Sequence, residues 1–313
     1  MSEYKGIHGG KIQNFTTNPD NPIEGQVWYN ETDGNWKVSS ISTVGSWATG
    51  GNLNTARQLL FGSGTNNSSL AYGGFVPPTS ALTESYDGTS WTEVSDLNTA
   101  RHNGGSAGSS NTDALCISGS SPATEQWNGS SWTEVADLNT NRRAIGATGT
   151  STSALAFGGT PPTTGATEEW NGTSWTEVAD LSTARISGAS AGSQTSALFI
   201  GGTLDPPVLT NVESWNGSSW TEVNDLNTGR NYIAGSGTST LGLAFGGTPP
   251  TTGATEEWNG TSWTEVNDLN TARSALGGAG TQAATLAFGG ETPPVTVASE
   301  AWNGAGTFTF TDS

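Results

Sequence analysis

The sequence predicts an all-β fold: a six-bladed β-propeller of four-stranded antiparallel blades, with a short N-terminal β-hairpin extension. Three observations predict it. A unit of about 43 residues returns six times. Each unit holds four short apolar segments rich in Val, Phe and Trp, separated by Gly, Pro, Asn and Thr, which is a strand pattern. Finally, the phasing is fixed: the repeat arginines Arg57, Arg101, Arg142, Arg185, Arg230 and Arg273 each follow a tryptophan by ten residues, namely Trp47, Trp91, Trp132, Trp175, Trp220 and Trp263.

Within a unit the elements follow in order. After the arginine comes a run of small residues such as Gly188-Ala189-Ser190-Ala191-Gly192. The seventh residue beyond the arginine is glycine in every copy: Gly64, Gly108, Gly149, Gly192, Gly237 and Gly280. Six strands meeting at one axis leave little room for side chains, so this segment is expected to be the innermost strand. The second strand is an apolar run ending in a glycine pair, as at Gly73-Gly74, Gly158-Gly159, Gly201-Gly202, Gly246-Gly247 and Gly289-Gly290; the second repeat departs with Ser118-Gly119. The third strand carries a glutamate followed by an aromatic residue. It joins the fourth through Trp-Asn-Gly-Thr/Ser-Ser-Trp, as in Trp170 to Trp175, and the readiness of Asn-Gly for positive φ predicts a tight hairpin there. The bulky tryptophans are expected on the outer strands, between neighbouring sheets.

An arginine opening the first strand, a diglycine ending the second, Glu-x-aromatic in the third and Trp in the fourth together resemble the kelch repeat. The resemblance covers roughly residues 47 to 310. It implies a propeller closed by an outermost strand from one chain end. Trp47-Ala48-Thr49 and Thr307-Phe308-Thr309-Phe310 both suit that slot, and the N-terminal segment is favoured because Trp47 keeps the ten-residue phase to Arg57. The expected division is residues 1–46 as an N-terminal segment and 47–313 as the propeller.

With 44 glycines and 12% charged residues the chain would suggest disorder if it were unpatterned, but the periodic tryptophans provide apolar surface to bury. Met1-Ser2-Glu3-Tyr4-Lys5 leads into polar sequence, so neither a signal peptide nor a membrane span is expected. The lone Cys116 excludes an internal disulfide framework. The net charge is -18, and the lysines Lys5, Lys11 and Lys37 all precede the repeats, leaving Arg143 as the one basic side chain there outside the motif. Nucleic-acid binding and association with anionic membranes both need a basic surface and are disfavoured.

The six arginines could form an anion-binding ring. The favoured reading is structural: each neutralises a glutamate from the set Glu84, Glu125, Glu168, Glu213, Glu256 and Glu300, tying adjacent blades. Asp96, Asp137, Asp180, Asp225 and Asp268, five residues before an arginine, are expected to organise the connections between blades. An enzyme is not expected. His8 and His102 are too few for the multi-histidine metal site of some kelch oxidases, so no metal and no cofactor are anticipated. Cys116 lies in an apolar strand as a buried, inert thiol. Ser85 to Trp91 resembles the Asp-box of sialidase propellers, but its glycine follows the aspartate one position too soon. Neighbouring carboxylates such as Glu168-Glu169 and Glu256-Glu257 alternate faces on a strand and do not converge.

Binding is better supported, because loops vary where the framework does not. The connections from second to third strand and those between blades emerge on one face. That face is expected to carry Phe75, Pro77 and Pro78; Pro122; Pro161 and Pro162; Leu204, Asp205, Pro206 and Pro207; Pro249 and Pro250; and Pro293 and Pro294. Prolines are expected to stiffen these loops in extended shapes, lowering the entropy cost of contact. Residues Leu155 to Val178 recur identically from Leu243 to Val266, a sign of blade copying within the gene.

The first 46 residues depart from the repeat. Asn18 to Asn30 (Asn-Pro-Asp-Asn-Pro-Ile-Glu-Gly-Gln-Val-Trp-Tyr-Asn), followed by Gly34 to Val38, resembles a short hairpin of bacteriophage structural and tail-fibre proteins. Tyr4 to Gln13 is similar to leaders of marine phage kelch-like proteins. The resemblance implies a non-enzymatic virion protein on the outer surface of the particle, at the tail or an associated fibre and in several copies. Trp28, Tyr29 and Trp36 would anchor it to other virion proteins, and the propeller would meet a host surface protein or glycan. Two alternatives stay open: a capsid or neck decoration protein whose propeller is a spacer, and a free propeller lectin using the repeated Arg, Glu and Trp.

Overall fold

The computed structural model describes residues 14–18, 26–41, 45–304 and 308–312. They form two compact units: residues 46–303, and the described residues up to Gly45 together with those from Gly304 onward.

The larger unit is a six-bladed β-propeller. Its blades comprise residues 61–94, 105–135, 146–178, 189–223, 234–266 and 277–303, each a four-stranded antiparallel sheet in sequential order from the axis outward. The sixth blade supplies three strands from its own span and takes Ser46–Thr49 as its outermost strand, with Trp47 opposite Trp302. The N-terminal side therefore closes the ring, as the phase of Trp47 predicts. The tryptophans of the fourth strands lie between sheets: the indole N–H of Trp132 in blade 2 donates to Thr83 Oγ1 of blade 1 (3.1 Å), and that of Trp220 in blade 4 to Thr167 Oγ1 of blade 3 (3.0 Å). Each inter-blade core joins one blade's second strand to the next. In one of them Leu115 and Ile117 of blade 2 pack on Ala154, Ala156, Trp170 and Trp175 of blade 3.

The innermost strands are small for two separate reasons. At Gly62 an added methyl would strike Phe288 and the backbone of Gly278 in the neighbouring blade, which is crowding. At Gly64 the cause is conformational. Its φ is +106°, and a methyl would strike the carbonyl of Ser68 in its own hairpin. The same holds at the corresponding glycine of every blade, so the invariant seventh position reflects hairpin geometry rather than convergence on the axis.

In five blades the second glycine of the pair donates its N–H to the carbonyl of the next blade's repeat arginine, as Gly74 does to Arg101 (2.8 Å) and Gly290 to Arg57 (2.8 Å). In blade 2 the hydroxyl of Ser118 bonds the Arg142 carbonyl instead. The sequence departure thus keeps the bond with a different donor.

The smaller unit is a sheet in which Asn14–Phe15 runs parallel to Val27–Asn30, which pairs antiparallel with Asn35–Ile41. Its fourth strand is Phe308–Asp312, paired with Asn35–Ile41. The C-terminal strand thus belongs with the N-terminal segment, and the propeller ends at Asn303 rather than at residue 313. The leader from Tyr4 to Gln13, and the part of the phage-like hairpin motif between Pro19 and Gly25, lie outside the described residues.

Candidate functional site

Each repeat arginine is buried against the expected glutamate of its own blade: Arg57–Glu84 at 2.8 Å, Arg142–Glu168 at 2.8 Å, Arg230–Glu256 at 2.8 Å and Arg273–Glu300 at 3.0 Å, with Arg101–Glu125 and Arg185–Glu213 likewise paired. The pair ties blades because the arginine ends the connector arriving from the preceding blade. A buried ion pair needs further hydrogen bonds to offset its desolvation, and the repeat pairs have them, although the Nε of Arg57, Arg142, Arg185, Arg230 and Arg273 is buried without a partner. Here Arg57 also donates to the carbonyls of Gly73 (3.1 Å) and Leu82 (2.5 Å), while the second oxygen of Glu84 accepts from the backbone N–H (2.7 Å) and side-chain amide (3.0 Å) of Asn54. Asn98, Asn139 and Asn227 repeat that contact, and Ser182 replaces the asparagine in blade 4. The Leu-Asn-Thr before five of the six arginines, with Leu-Ser-Thr before Arg185, was the available signal for this contact, which the residue patterning alone did not assign. Burial pushes the guanidinium of Arg57 below its ordinary value, and the charge of Glu84 opposes that shift.

This arrangement removes the repeat residues from ligand binding. All six arginines and glutamates are buried, as are the fourth-strand tryptophans. A lectin site built from repeated Arg, Glu and Trp between blades is therefore overturned. Asp96, Asp137 and Asp180 accept the N–H of the first residue of their blade's third strand, as in Thr83 to Asp96 at 3.0 Å, so they brace the connectors as expected.

The connectors and the loops between second and third strands do share a face. The residue after the repeat arginine bridges to the residue after the diglycine, in the pairs Gln58–Phe75, Arg143–Thr160, Ile186–Thr203, Asn231–Thr248 and Ser274–Glu291. Pro77, Pro78, Pro161, Pro162, Pro206, Pro207, Pro249, Pro250, Pro293 and Pro294 are exposed there, as are Leu204 and Asp205, whereas Phe75 and Pro122 are half-buried. The loops are not extended. Phe75 bridges to Thr79, Thr203 to Val208 and Glu291 to Val295, so the chain folds back on itself, with cis peptide bonds including Pro77-Pro78 and Pro206-Pro207. The backbone has two polar groups per residue to satisfy, and short reversals satisfy them internally.

At the centre of this face is a feature that patterning missed. The second residue after each repeat arginine has positive φ: Leu59, Asn103, Ala144, Ser187, Tyr232 and Ala275. Each donates its N–H to the corresponding carbonyl of a neighbouring blade, so Leu59, Ala275, Tyr232, Ser187, Ala144 and Asn103 form a closed circle of six backbone hydrogen bonds. Only the backbone is used, so the residue types are free to differ and leave no repeat signal. Behind this ring the axial cavity, about 140 Å³, is lined by Gly, Ala, Ser and Thr. No carboxylate, imidazole or thiol faces it, so it offers no acid–base or nucleophilic pair.

The titratable side chains set aside in the sequence sit in ordinary structural places. Cys116 is fully buried, and burial pushes its thiol far up. Asp87 occupies the Asn position of the hairpin turn, where the backbone and side chains of Ser90 and Thr89 donate to it and hold its carboxyl at about 2. Among the described residues no group of three or more His, Cys, Asp or Glu side chains converges as a metal site would require.

In the smaller unit Trp28 is fully buried, so it is a core residue and not an accessible anchor. Tyr29 and Trp36 form an edge-to-face pair at 5.4 Å, and Trp36 is 43% exposed.

The fold defines a six-bladed propeller. The solved structure of YjhT is similar to this chain at a TM-score of 0.69 and 10% identity, covering 84% of this chain and 99% of that one, a likeness of fold alone. No family model matches the sequence, and no curated protein does.

Proposed function

We propose that this chain is a non-enzymatic bacteriophage virion protein whose propeller presents its face of second-to-third-strand loops to a host surface, and whose smaller unit attaches it to other virion proteins. One observation carries the reading. The six blades share a buried framework, while the exposed loops on one face differ in length from six residues (118–123) to eleven (201–211). Conserving a scaffold while varying one rigidly mounted loop set is how binding surfaces are built on folds. The phage-like hairpin motif supplies the setting, and exposed Trp36 with Tyr29 offers an aromatic anchor of the kind that dominates interfaces. The acidic surface suits a protein partner or glycan and disfavours nucleic acid.

The test is adsorption. Particles carrying loop-replaced propellers should assemble and bind host cells less well than wild type. Normal adsorption with several loops changed together would favour the decoration reading, in which the propeller is a spacer.

A further inference from the structure

In the propeller, cationic side chains outside the buried framework are scarce. Residues 46–303 contain one arginine beyond the six repeat arginines, Arg143, and one histidine, His102. Both fall on the loop face at the same repeat position, immediately after the repeat arginines of blades 3 and 2. Their backbones are held together, because the N–H of Ala144 donates to the carbonyl of Asn103 (2.6 Å).

Blade 2, into which the His102 connector leads, is also the blade whose loop is cut short. The second-to-third-strand loop of blade 2 has six residues (118–123), against nine in blades 3 and 5 (158–166, 246–254), ten in blades 1 and 6 (73–82, 289–298) and eleven in blade 4 (201–211). In the other five blades the residue after the repeat arginine is joined to its own loop by a backbone bridge. His102 has no such bridge. Its ring lies instead against Phe75 of blade 1, with centroids 5.2 Å apart, and its Nδ1 is 3.3 Å from Thr79 Oγ1. The guanidinium of Arg143 is exposed and makes no ion pair with a described carboxylate.

We propose that this notch over blade 2, formed by His102, Arg143 and the Phe75–Thr79 loop, binds the carboxylate or sulfate group of an acidic saccharide. The Arg143 fork is the donor suited to a planar or tetrahedral oxyanion. His102, its Nδ1 beside Thr79 Oγ1, stands next to that fork, and the half-buried Phe75 ring it packs on adds apolar surface for a sugar ring. Burial, and then the Arg143 charge, hold the imidazole below its ordinary value. The net charge of -18 repels polyanions at long range, which restricts the site to a single oxyanion reached at short range. Blades 3 and 5 carry identical loops, yet at the equivalent position blade 5 has Asn231 and its predecessor Ile186. A ligand read by loop sequence alone would therefore find two sites, and one read by Arg143 and His102 finds one.

The inference rests on the loop face being a recognition surface only for its biological use, and its test needs no host. Galactose, galacturonate and galactose 6-sulfate share a ring and differ at one substituent. Titrated into the full chain by amide NMR, at least one of the two charged sugars should bind about tenfold or more tighter than galactose, shifting resonances around His102, Arg143 and Phe75. Preference between them tells carboxylate from sulfate. Arg143→Gln should abolish the difference from galactose with the fold unchanged, because the side chain is exposed, and His102→Gln should weaken it several-fold. Equal affinity for all three sugars, or charged-sugar binding that survives Arg143→Gln, would overturn the proposal. Charged-sugar binding with host adsorption unaffected by the same variants would leave the site standing and remove the host-recognition reading.

Discussion

At each blade a guanidinium and a carboxylate are removed from water together, and every blade surrounds that pair with main-chain carbonyls and an amide. The contact is strong only while both partners remain, since removing one strands the other in a low-dielectric interior. Arg185→Ala should therefore lower stability by roughly 3 to 5 kcal/mol, read from chemical denaturation; a loss below about 1 kcal/mol would mean that Glu213 finds water or another donor. Asp87 gives a second test at this scale. Its folded carboxyl stands at about 2 against an ordinary 3.8. The hairpin stabilisation it provides is thus fully present above the ordinary value and disappears as the pH falls through about 2. Carbon-detected NMR titration should place its midpoint near 2, and a midpoint near 3.8 would show the Ser90 and Thr89 bonds to be absent in solution. Both the Arg–Glu pairs and the Asn/Asp turn were legible in the sequence because each recurs at a fixed phase. The partner of His102 was not, because Phe75 and Thr79 lie in another blade and nothing local links them.

Blade strands and loops divide the constraints. A strand must satisfy its ladder and pack between two neighbours, so Leu155 to Phe157 and Leu243 to Phe245 admit little change. A loop must only reverse the chain and keep its bridge to the connector. Replacing Pro206-Pro207 and Pro161-Pro162 with Gly-Ser should leave the thermal midpoint within a few degrees of wild type, because these residues are exposed, while host adsorption falls. A large drop in the midpoint would place the loops in the framework. Strand order and the loop face were legible from turn residues and apolar runs. The reversal of the proline loops was not, because proline suits extended and turned backbone alike. The ring of backbone hydrogen bonds around the axis was also invisible, since Leu59, Asn103, Ala144, Ser187, Tyr232 and Ala275 share a conformation and no side-chain chemistry.

For the whole molecule, closure by Ser46–Thr49 was legible because Trp47 keeps the phase of the repeat, whereas the pairing of Phe308–Asp312 with Asn35–Ile41 joins chain ends that carry no common pattern. That pairing alters how the attachment role must be tested. Deleting residues 1–38 would remove two whole strands of the smaller sheet and two of the five residues paired with the C-terminal strand, so the informative truncation is residues 46–303, which keeps all six blades and the closing strand. It should fold with the tryptophan fluorescence of the parent propeller and fail to enter particles; normal incorporation would remove the anchoring role from the smaller unit. A virion role is tested most simply by a density map of intact particles with this chain located in it. Six-bladed density is expected on the outer surface of the tail or an associated fibre, with the proline-loop face open to solvent. Absence of the chain from purified particles, or a loop face packed against other virion proteins, would contradict it.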